Sequence, residues 1–257
     1  MAKKPILVTL LPSTDVDLGR WIMQHWGRDY VEHPHAPIAH VLALKWYGMG
    51  KDDYPLYVEG DRKIPTIGKI VKAFDHLANV DRRLVPDEVE EKALHDEVME
   101  LQHAFRFDMG GGTVHWAYYH FLKHRNLCWS SFTTGVPWYE KLFVALGFPL
   151  IRWGMTKGLN LSEATAEKGL ADVLAGFDEV DAMLADGRRY LLGDRLTLAD
   201  LAFAANGGPM VLAKGYGGHL PTIDEVPAHM RTVMEGLRAR PAGAFVQRMY
   251  DEHRRAA

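Results

Sequence analysis

The 257-residue sequence has one cysteine, Cys128, and no long uninterrupted apolar run. A single cysteine cannot form an internal disulfide, and this usage fits a reducing compartment, so we expect a cytoplasmic protein. Charged residues, Gly and Pro interrupt the most apolar stretches, such as "WYEKLFVALGFPLIRWG". We therefore expect no transmembrane span and no membrane partner. The apolar start, "MAKKPILVTLLP", has no signal-peptide cleavage pattern and favours a strand.

An excess of one charge is also missing. The chain has 30 Lys and Arg against 33 Asp and Glu, spread along its length, for a net charge of -3. A dispersed and slightly negative charge argues against a nucleic-acid partner. Apolar residues make up 47% and charged residues 25%, which is the range of ordinary globular proteins. Internal repeats are absent as well, and the length suits one or two domains.

Residues 1–78 have the alternation expected of a small α/β domain, in the order β-α-β-α-β-β-α. "PILVTLL" predicts a strand, and the helical segment after it ends at Gly27. "LYVE" and "RKIP" flank the turn pair Gly60-Asp61 and predict a hairpin. An amphipathic helix follows. Residues 79–87 are polar and predict a linker, and 88–257 predict an all-helical domain, interrupted at Gly110–Gly112 and bent at Gly147–Pro149.

The segment "YLLGDRLTLADLAFAA" begins an apolar helix with two polar residues, Thr197 and Asp200. A helix leaves its first N–H groups without intrahelical partners. Thr197 can accept from the N–H of Asp200, and the carboxylate of Asp200 can return to the N–H of Thr197. This pair predicts a structural capping box.

Three motifs together resemble the cytosolic glutathione S-transferase superfamily. They are "GRRYLLGDRLTLADLAFAA", the pair Tyr54-Pro55 before "LYVEGDRKI", and "LGRWIMQHWGRDYVE" after the first strand. The resemblance implies a thioredoxin-like domain followed by a helical bundle. It also implies a cis bond at Pro55 that turns the backbone of Tyr54 toward the cysteinyl group of glutathione. In the family, the residues matching Thr197 and Asp200 serve folding.

The resemblance places Ser13 at the position of the catalytic residue in serine-type and cysteine-type members. The thiol of glutathione has a pKa of roughly 8.5, like that of free cysteine, and the thiolate is the nucleophile. A hydroxyl that donates to the sulfur beside a helix N-terminus favours the thiolate. Thr14 is the alternative donor. A third interpretation is that "STD" only caps the helix, with Asp15 as a good cap.

The remaining glutathione contacts depart from the family pattern. Members open the third helix with Glu/Gln-Ser, where this chain has Thr66-Ile67 or, one residue earlier, Pro65-Thr66. Thr66 can cap the helix and offer a hydroxyl and an N–H to a carboxylate, whereas the side chain of Ile67 cannot. Lys45 is the candidate for the glycyl carboxylate, with Lys51 as its alternative.

The helical domain contains more aromatic residues than one buried helix face requires. Part of them would form the core, and the rest predict a pocket for an apolar or aromatic electrophile. Our candidates for that pocket are Arg106, Trp116 and Tyr119. Cys128 is expected to be a packed small side chain. The histidines of "HPHAPIAH" lack partners at metal-binding spacing, so we expect no metal.

These features predict a glutathione S-transferase-like enzyme, with glutathione as co-substrate and a hydrophobic small molecule as the electrophile. The alternative is a non-catalytic binding or assembly protein of the same fold with a degenerate glutathione site. The resemblance also implies a homodimer. In it, residues Leu56–Phe74 of one subunit would face the helices around Glu88–Phe107 and Thr113–Lys123 of the other.

Overall fold

The computed structural model describes residues 4–254. Its sheet has four strands in the order β2-β1-β3-β4. β1 pairs parallel with β2 and antiparallel with β3, which pairs antiparallel with β4. The strands are β1 (Ile6–Leu10), β2 (Val31–His35), β3 (Leu56–Glu59) and β4 (Arg62–Pro65).

Three helices join these strands and complete the thioredoxin-like order that the sequence predicts. They are α1 (Thr14–His25), α2 (Ala39–Trp46) and α3 (Ile67–Phe74). The predicted hairpin forms between β3 and β4, and Gly60 takes a φ of 58° in its turn. That conformation costs glycine little, because glycine has no Cβ. α3 buries its apolar face against the sheet, as its spacing indicates.

The rest of the chain is helical, as predicted. Its helices are α4 (Lys92–His103), α5 (Gly110–Phe121), α6 (Arg125–Thr133), α7 (Trp138–Gly158), α8 (Glu163–Leu184), α9 (Leu198–Val211), α10 (Ala228–Arg238) and α11 (Pro241–His253). Two short 3₁₀ turns, at Asp75–Leu77 and Val80–Arg82, lie between α3 and α4. The linker at 79–87 and the domain limits stay predictions. None of the helices within residues 4–254 is sufficiently long and apolar to cross a bilayer.

The expected interruption at Gly110–Gly112 is wrong. A π-helical turn, Ala104–Met109, continues α4 directly into α5, whose first residues are these glycines. A Cβ on Gly112 would lie 2.4 Å from the carbonyl oxygen of Gly169 on α8. The glycine therefore allows two helices to touch through their backbones. α7 runs as one helix through Pro149, and the expected bend at Gly147–Pro149 stays a prediction.

α9 lies at the centre of the molecule and connects its two parts. All of its residues are buried, and it packs against α1 as well as against α4, α5, α10 and α11. The capping box at Thr197 and Asp200 forms as predicted. Water cannot reach this end of the helix, so the two side chains supply its hydrogen bonds.

A buried polar cluster fastens α1 to the end of the chain. The carboxylate of Asp17 accepts from the hydroxyl of Tyr250 at 2.6 Å and from the guanidinium of Arg254 at 2.8 Å. Trp21 donates its indole N–H to the carbonyl of His253 at 3.1 Å. These contacts hold α1, and therefore the site at its N-terminus, in a fixed position on the helical part.

Candidate functional site

A cleft between the thioredoxin-like part and the helical part brings together five of the residues proposed from the sequence. Its volume is about 660 Å³. Its lining includes Ser13 and Thr14 from the start of α1, Tyr54 before β3, Thr66 before α3, and Arg106 from the π-helical turn.

Ser13 is the N-cap of α1. Its backbone is extended, and its Oγ accepts from the N–H of Val16 at 3.4 Å. A hydroxyl that accepts in this way keeps its own hydrogen for a second partner. The interpretation that "STD" caps the helix is confirmed for Ser13 but not for Asp15, whose carboxylate pairs with Arg106. The cap leaves the Ser13 hydroxyl able to donate into the cleft. Thr14, the first residue of the helix, is buried and also lines the cleft.

The bond between Tyr54 and Pro55 is cis, as predicted. The carbonyl of Pro55 accepts from the N–H of Thr66 at 2.9 Å, which connects this segment to the start of α3. Pro55 rests on Gly19 of α1, where a Cβ would lie only 2.7 Å from its Cγ. The pKa of the Tyr54 hydroxyl is raised to about 12 by burial. The phenol therefore stays protonated at neutral pH.

Arg106 and Asp15 form a bidentate ion pair across the cleft. The Nε and Nη2 of Arg106 lie 2.9 and 2.8 Å from the two carboxylate oxygens, and Nη1 donates to Gln102 at 3.1 Å. Only 6% of the Arg106 side chain is exposed. Because Asp15 sits in the first turn of α1, the pair also fixes the helical part to the N-terminus of this helix. π-helical turns frequently occur at functional sites.

The candidates for the electrophile pocket lie apart from one another. Trp116 is buried in the core against the ring of His120, and Tyr119 lies beneath the ammonium of Lys123. Arg106 is the one of the three that lines the cleft.

Tyr118 lines the cleft, although the sequence analysis did not choose it as a candidate. It borders a second part of the cleft, about 300 Å³ in volume, together with Ser13 and Tyr54. Its hydroxyl donates to the carbonyl of Pro12 at 3.2 Å, and burial raises its pKa. Val114 and Tyr118 are four residues apart, so they share a face of α5, and both line this part of the cleft. That spacing could have identified Tyr118 from the sequence.

Behind Tyr118 lies a much smaller apolar cavity of about 50 Å³. Thr14 and Tyr118 separate it from the cleft, and Phe132 and Cys128 lie on its far wall. Cys128 donates to the carbonyl of Phe121 at 3.2 Å, and burial raises the pKa of its thiol to about 12. It is packed as expected, and its thiol stays protonated at neutral pH.

The histidines of "HPHAPIAH" have other partners. His35 is 2.7 Å from a carboxylate oxygen of Glu140, and the ring of His40 packs edge-on against Tyr54. Burial lowers the pKa of His40 to about 4, so this ring is neutral. Across residues 4–254, potential metal-ligating side chains form no group of three or more.

Comparison with known proteins supports the resemblance to glutathione S-transferases. Residues 163–236 match the family model "Glutathione S-transferase, C-terminal domain". The chain has the glutathione S-transferase fold. The resemblance that the sequence indicates is therefore confirmed. No curated protein matches the chain.

Several solved glutathione S-transferases share this fold at low sequence identity. One from Methylobacillus flagellatus KT, with glutathione bound, is 16% identical; the match covers 94% of this chain and 98% of the other, with a TM-score of 0.53. One from Methylobacterium radiotolerans JCM 2831, in complex with glutathione sulfonate, is 15% identical, covering 94% and 93%, with a TM-score of 0.53. A delta-class enzyme from Nilaparvata lugens is 14% identical, covering 95% and 99%, with a TM-score of 0.53.

Within this glutathione S-transferase fold, the third helix departs from the pattern that the resemblance implies. Thr66 precedes α3 with a φ of 65°, and its side chain makes no capping hydrogen bond, so the expected cap is wrong. Its backbone turns away from the extended geometry that an N-cap side chain normally needs. Ile67 is buried in the core, and Gly68 lines the cleft in its place. Lys45 is exposed and lies outside the pockets described above, whereas Lys51 borders the cleft.

Proposed function

We propose that this protein is a glutathione-dependent transferase in which Ser13 activates the glutathione thiol for attack on a hydrophobic or aromatic electrophile. The observation that carries the proposal is the meeting of three groups in one cleft. They are the Ser13 hydroxyl at the positive end of α1, the backbone of Tyr54 before the cis bond, and the first turn of α3.

The electrostatics at Ser13 favour a thiolate. The N-terminus of α1 carries a partial positive charge, and the hydroxyl of Ser13 can donate to the sulfur. Asp15 would oppose an anion here, but the guanidinium of Arg106 pairs with both of its carboxylate oxygens. The ion pair thus neutralises the acid nearest to the proposed sulfur position. The net effect is a lower pKa for the bound thiol.

The first turn of α3 offers a site for the γ-glutamyl carboxylate. The hydroxyl of Thr66 makes no hydrogen bond to its own helix, so it is available to a ligand. The N–H groups of the first turn point outward and favour an anion. Gly68 leaves the approach to them open, since nothing lies within 4 Å of a Cβ built there.

The part of the cleft that borders Tyr118 is the proposed electrophile subsite. Ile38, Val114 and Met155 give it a mostly apolar lining, and Ser13 lines it as well. An apolar molecule there would be next to a sulfur held at Ser13. The same thiol site supports conjugation, ether or halide cleavage, isomerisation and peroxide reduction.

The test of this function is the ultraviolet absorbance of bound thiolate against pH. We expect Ser13→Ala to raise the pKa of bound glutathione while leaving its affinity nearly unchanged, because backbone and carboxylate contacts remain. A hydrogen bond to a charged group contributes about 1.5–3 kcal/mol, so turnover at neutral pH should fall about tenfold to a hundredfold. The loss should shrink at alkaline pH, where the thiol ionises without help.

Two matched variants separate the roles. Thr66→Val should weaken glutathione binding without moving the thiol pKa, and Thr14→Val shows whether the neighbouring hydroxyl takes the role of Ser13. If Ser13→Ala leaves the titration unmoved, Ser13 is only a helix cap. If calorimetry detects no glutathione binding by the wild type, the alternative holds, and the protein is a non-catalytic binding or assembly protein.

We further propose a homodimer formed by the surfaces that the resemblance implies. Exposed cations lie on the hairpin and α3, including Lys63, Lys69 and Lys72. Exposed acids lie on and before α4, including Glu97 and Glu100. A two-fold arrangement that brings α3 of one subunit against α4 of the other would pair opposite charges twice. The reducing cytosol, where thiols are maintained, is the compartment we propose.

A further inference from the structure

Helix α7 is apolar on two opposite faces, and the chain covers only one of them. Val144, Phe148 and Ile151 are buried against the rest of the molecule. On the other side, Leu142, Leu146 and Leu150 are exposed by 50%, 77% and 57%. Residues four apart share a helix face, so the three leucines form a continuous stripe. A helix that is apolar all round normally has both faces covered.

Aromatic side chains extend this stripe at both ends. Trp138 is 75% exposed at the start of α7, and Trp153 is 62% exposed near its end. Beside α7 lies a groove lined by Leu42 of α2 and Tyr139, which are 72% and 55% exposed. We call the set Trp138, Leu142, Leu146, Leu150 and Trp153 the α7 face. Exposed apolar patches of this kind mark an interaction site.

The segment that carries this face is positively charged, although the whole chain is not. Residues 123–157 contain five cations, Lys123, Arg125, Lys141, Arg152 and Lys157, and one acid, Glu140. Glu140 is buried, where it accepts from the N–H of Ala36 at 2.7 Å and contacts His35. The formal charges that this segment exposes to solvent are therefore all positive, although the net charge of the chain is -3.

We propose that the α7 face docks on the surface of a membrane that contains anionic lipids. Trp and Tyr favour the interface between lipid and water, where an apolar ring and a polar edge are both accommodated. An amphipathic helix with Leu and Trp on one side and Lys and Arg beside them lies in the plane of that interface. Anionic headgroups attract the cations. The buried face of α7 holds it against the fold in the orientation that this contact requires.

A second copy of the chain fits the α7 face less well. In a two-fold dimer, the same patch meets itself, so Lys141 and Arg152 of each subunit would approach the matching cations of the other. The segment has no exposed acid to pair with them. Like charges brought together at an interface disfavour association. An anionic surface turns the same cations into a source of attraction.

Docking would also bring lipid close to the candidate cleft. The last turns of α7 contribute Gly154 and Met155 to the cleft that contains Ser13. An apolar molecule dissolved in the membrane would then enter from a nearby surface. The docking itself is independent of glutathione binding, and it departs from the expectation of no membrane partner.

The test is flotation of the full-length protein with vesicles, compared between phosphatidylcholine alone and phosphatidylcholine with about one third phosphatidylglycerol. We expect the wild type to float with the anionic vesicles and far less with the neutral ones. Leu146→Glu should lower partitioning at least about tenfold, since a buried Leu side chain contributes about 1.5 kcal/mol or more. Lys141→Glu with Arg152→Glu should lower it at least about 25-fold on anionic vesicles only, at about fivefold per cation.

Val80→Glu is the matched control, because Val80 is 72% exposed in the turn between α3 and α4, outside both the α7 face and the proposed dimer surfaces. It should float like the wild type. Brominated lipids should quench tryptophan fluorescence in the wild type and not in Leu146→Glu. Circular dichroism and the melting temperature should be unchanged in every variant. The proposal is overturned if the wild type binds neither kind of vesicle at low salt, or if Val80→Glu loses binding equally. It is also overturned if Leu146→Glu abolishes a dimer in sedimentation while vesicle binding is absent.

Discussion

Replacing Asp200 by Ala should destabilise this protein far more than the loss of an ordinary helix cap. The carboxylate of Asp200 is fully buried and accepts three hydrogen bonds. Two come from the N–H and hydroxyl of Thr197, each at 2.7 Å, and the third from the N–H of Leu191 at 2.8 Å. The variant leaves two buried backbone donors without an acceptor.

The magnitude follows from those two donors. A buried donor without a partner costs about 1–3 kcal/mol, so two give about 2–6 kcal/mol. Burial raises the pKa of Asp200, which means that desolvation of the carboxylate offsets part of what its hydrogen bonds contribute. We therefore expect a loss of about 2–4 kcal/mol in the free energy of unfolding.

The matched control is Ser162→Ala at the start of α8. Ser162 forms a capping box with Thr165, with hydrogen bonds of 2.9 and 3.1 Å, but it is exposed. Water can replace its bonds, so the loss should be about 0.5–1 kcal/mol. Unfolding in guanidinium chloride at pH 7 measures both variants, with glutathione affinity of the folded fraction as a second readout. Equal losses at the two positions would refute the role assigned to burial, and a changed affinity would refute the purely structural role of Asp200.

Two further outcomes are expected. Cys128, whose thiol pKa is raised to about 12 by burial, should react with a disulfide reagent at pH 8 only after denaturation, and rapid labelling of the native protein would contradict its packing. Sedimentation velocity should show a dimer at micromolar concentration that Lys69→Glu with Lys72→Glu weakens and that added salt also weakens; a monomer under all conditions would count against the proposed pairing.

The elements with strong local signals could be predicted from the sequence. The hairpin around Gly60-Asp61 and the capping box at Thr197 depend on turn and cap chemistry within a few residues, and both form. The glycines at Gly110–Gly112 show the opposite case. Gly112 meets Gly169 and Gly110 lies against Asn206, and both partners are far away in the sequence, so local reasoning took these glycines for an interruption.

The candidate site also has residues that could be predicted from the sequence and residues that could not. Ser13 and Pro55 could be proposed because the family resemblance fixes each relative to a helix or strand start. Tyr118 was not chosen over Trp116 and Tyr119, because Trp116 to Tyr119 are all aromatic or small, and the packing of α5 against α8 and α9 decides which of them faces the cleft. The α7 face could not be predicted from the sequence for a related reason. An apolar helix is expected to be buried, and no sequence pattern indicates which of its faces stays exposed.

The two helix N-termini in the cleft differ in a way that bears on what binds there. At α1, the Ser13 oxygen already accepts from the helix, so the position offers a hydroxyl hydrogen and suits an electron-rich atom such as a thiolate sulfur. At α3, Thr66 leaves the helix uncapped, so the position offers a hydroxyl and outward N–H groups and suits a carboxylate. A ligand that spans both needs a hydrogen-bond acceptor at one end and an anionic group at the other, and the proposed ligand glutathione offers its sulfur and its γ-glutamyl carboxylate. A ligand with only an anionic end would bind at the N-terminus of α3 and would give no thiolate absorbance. That result would support the alternative, a non-catalytic binding protein.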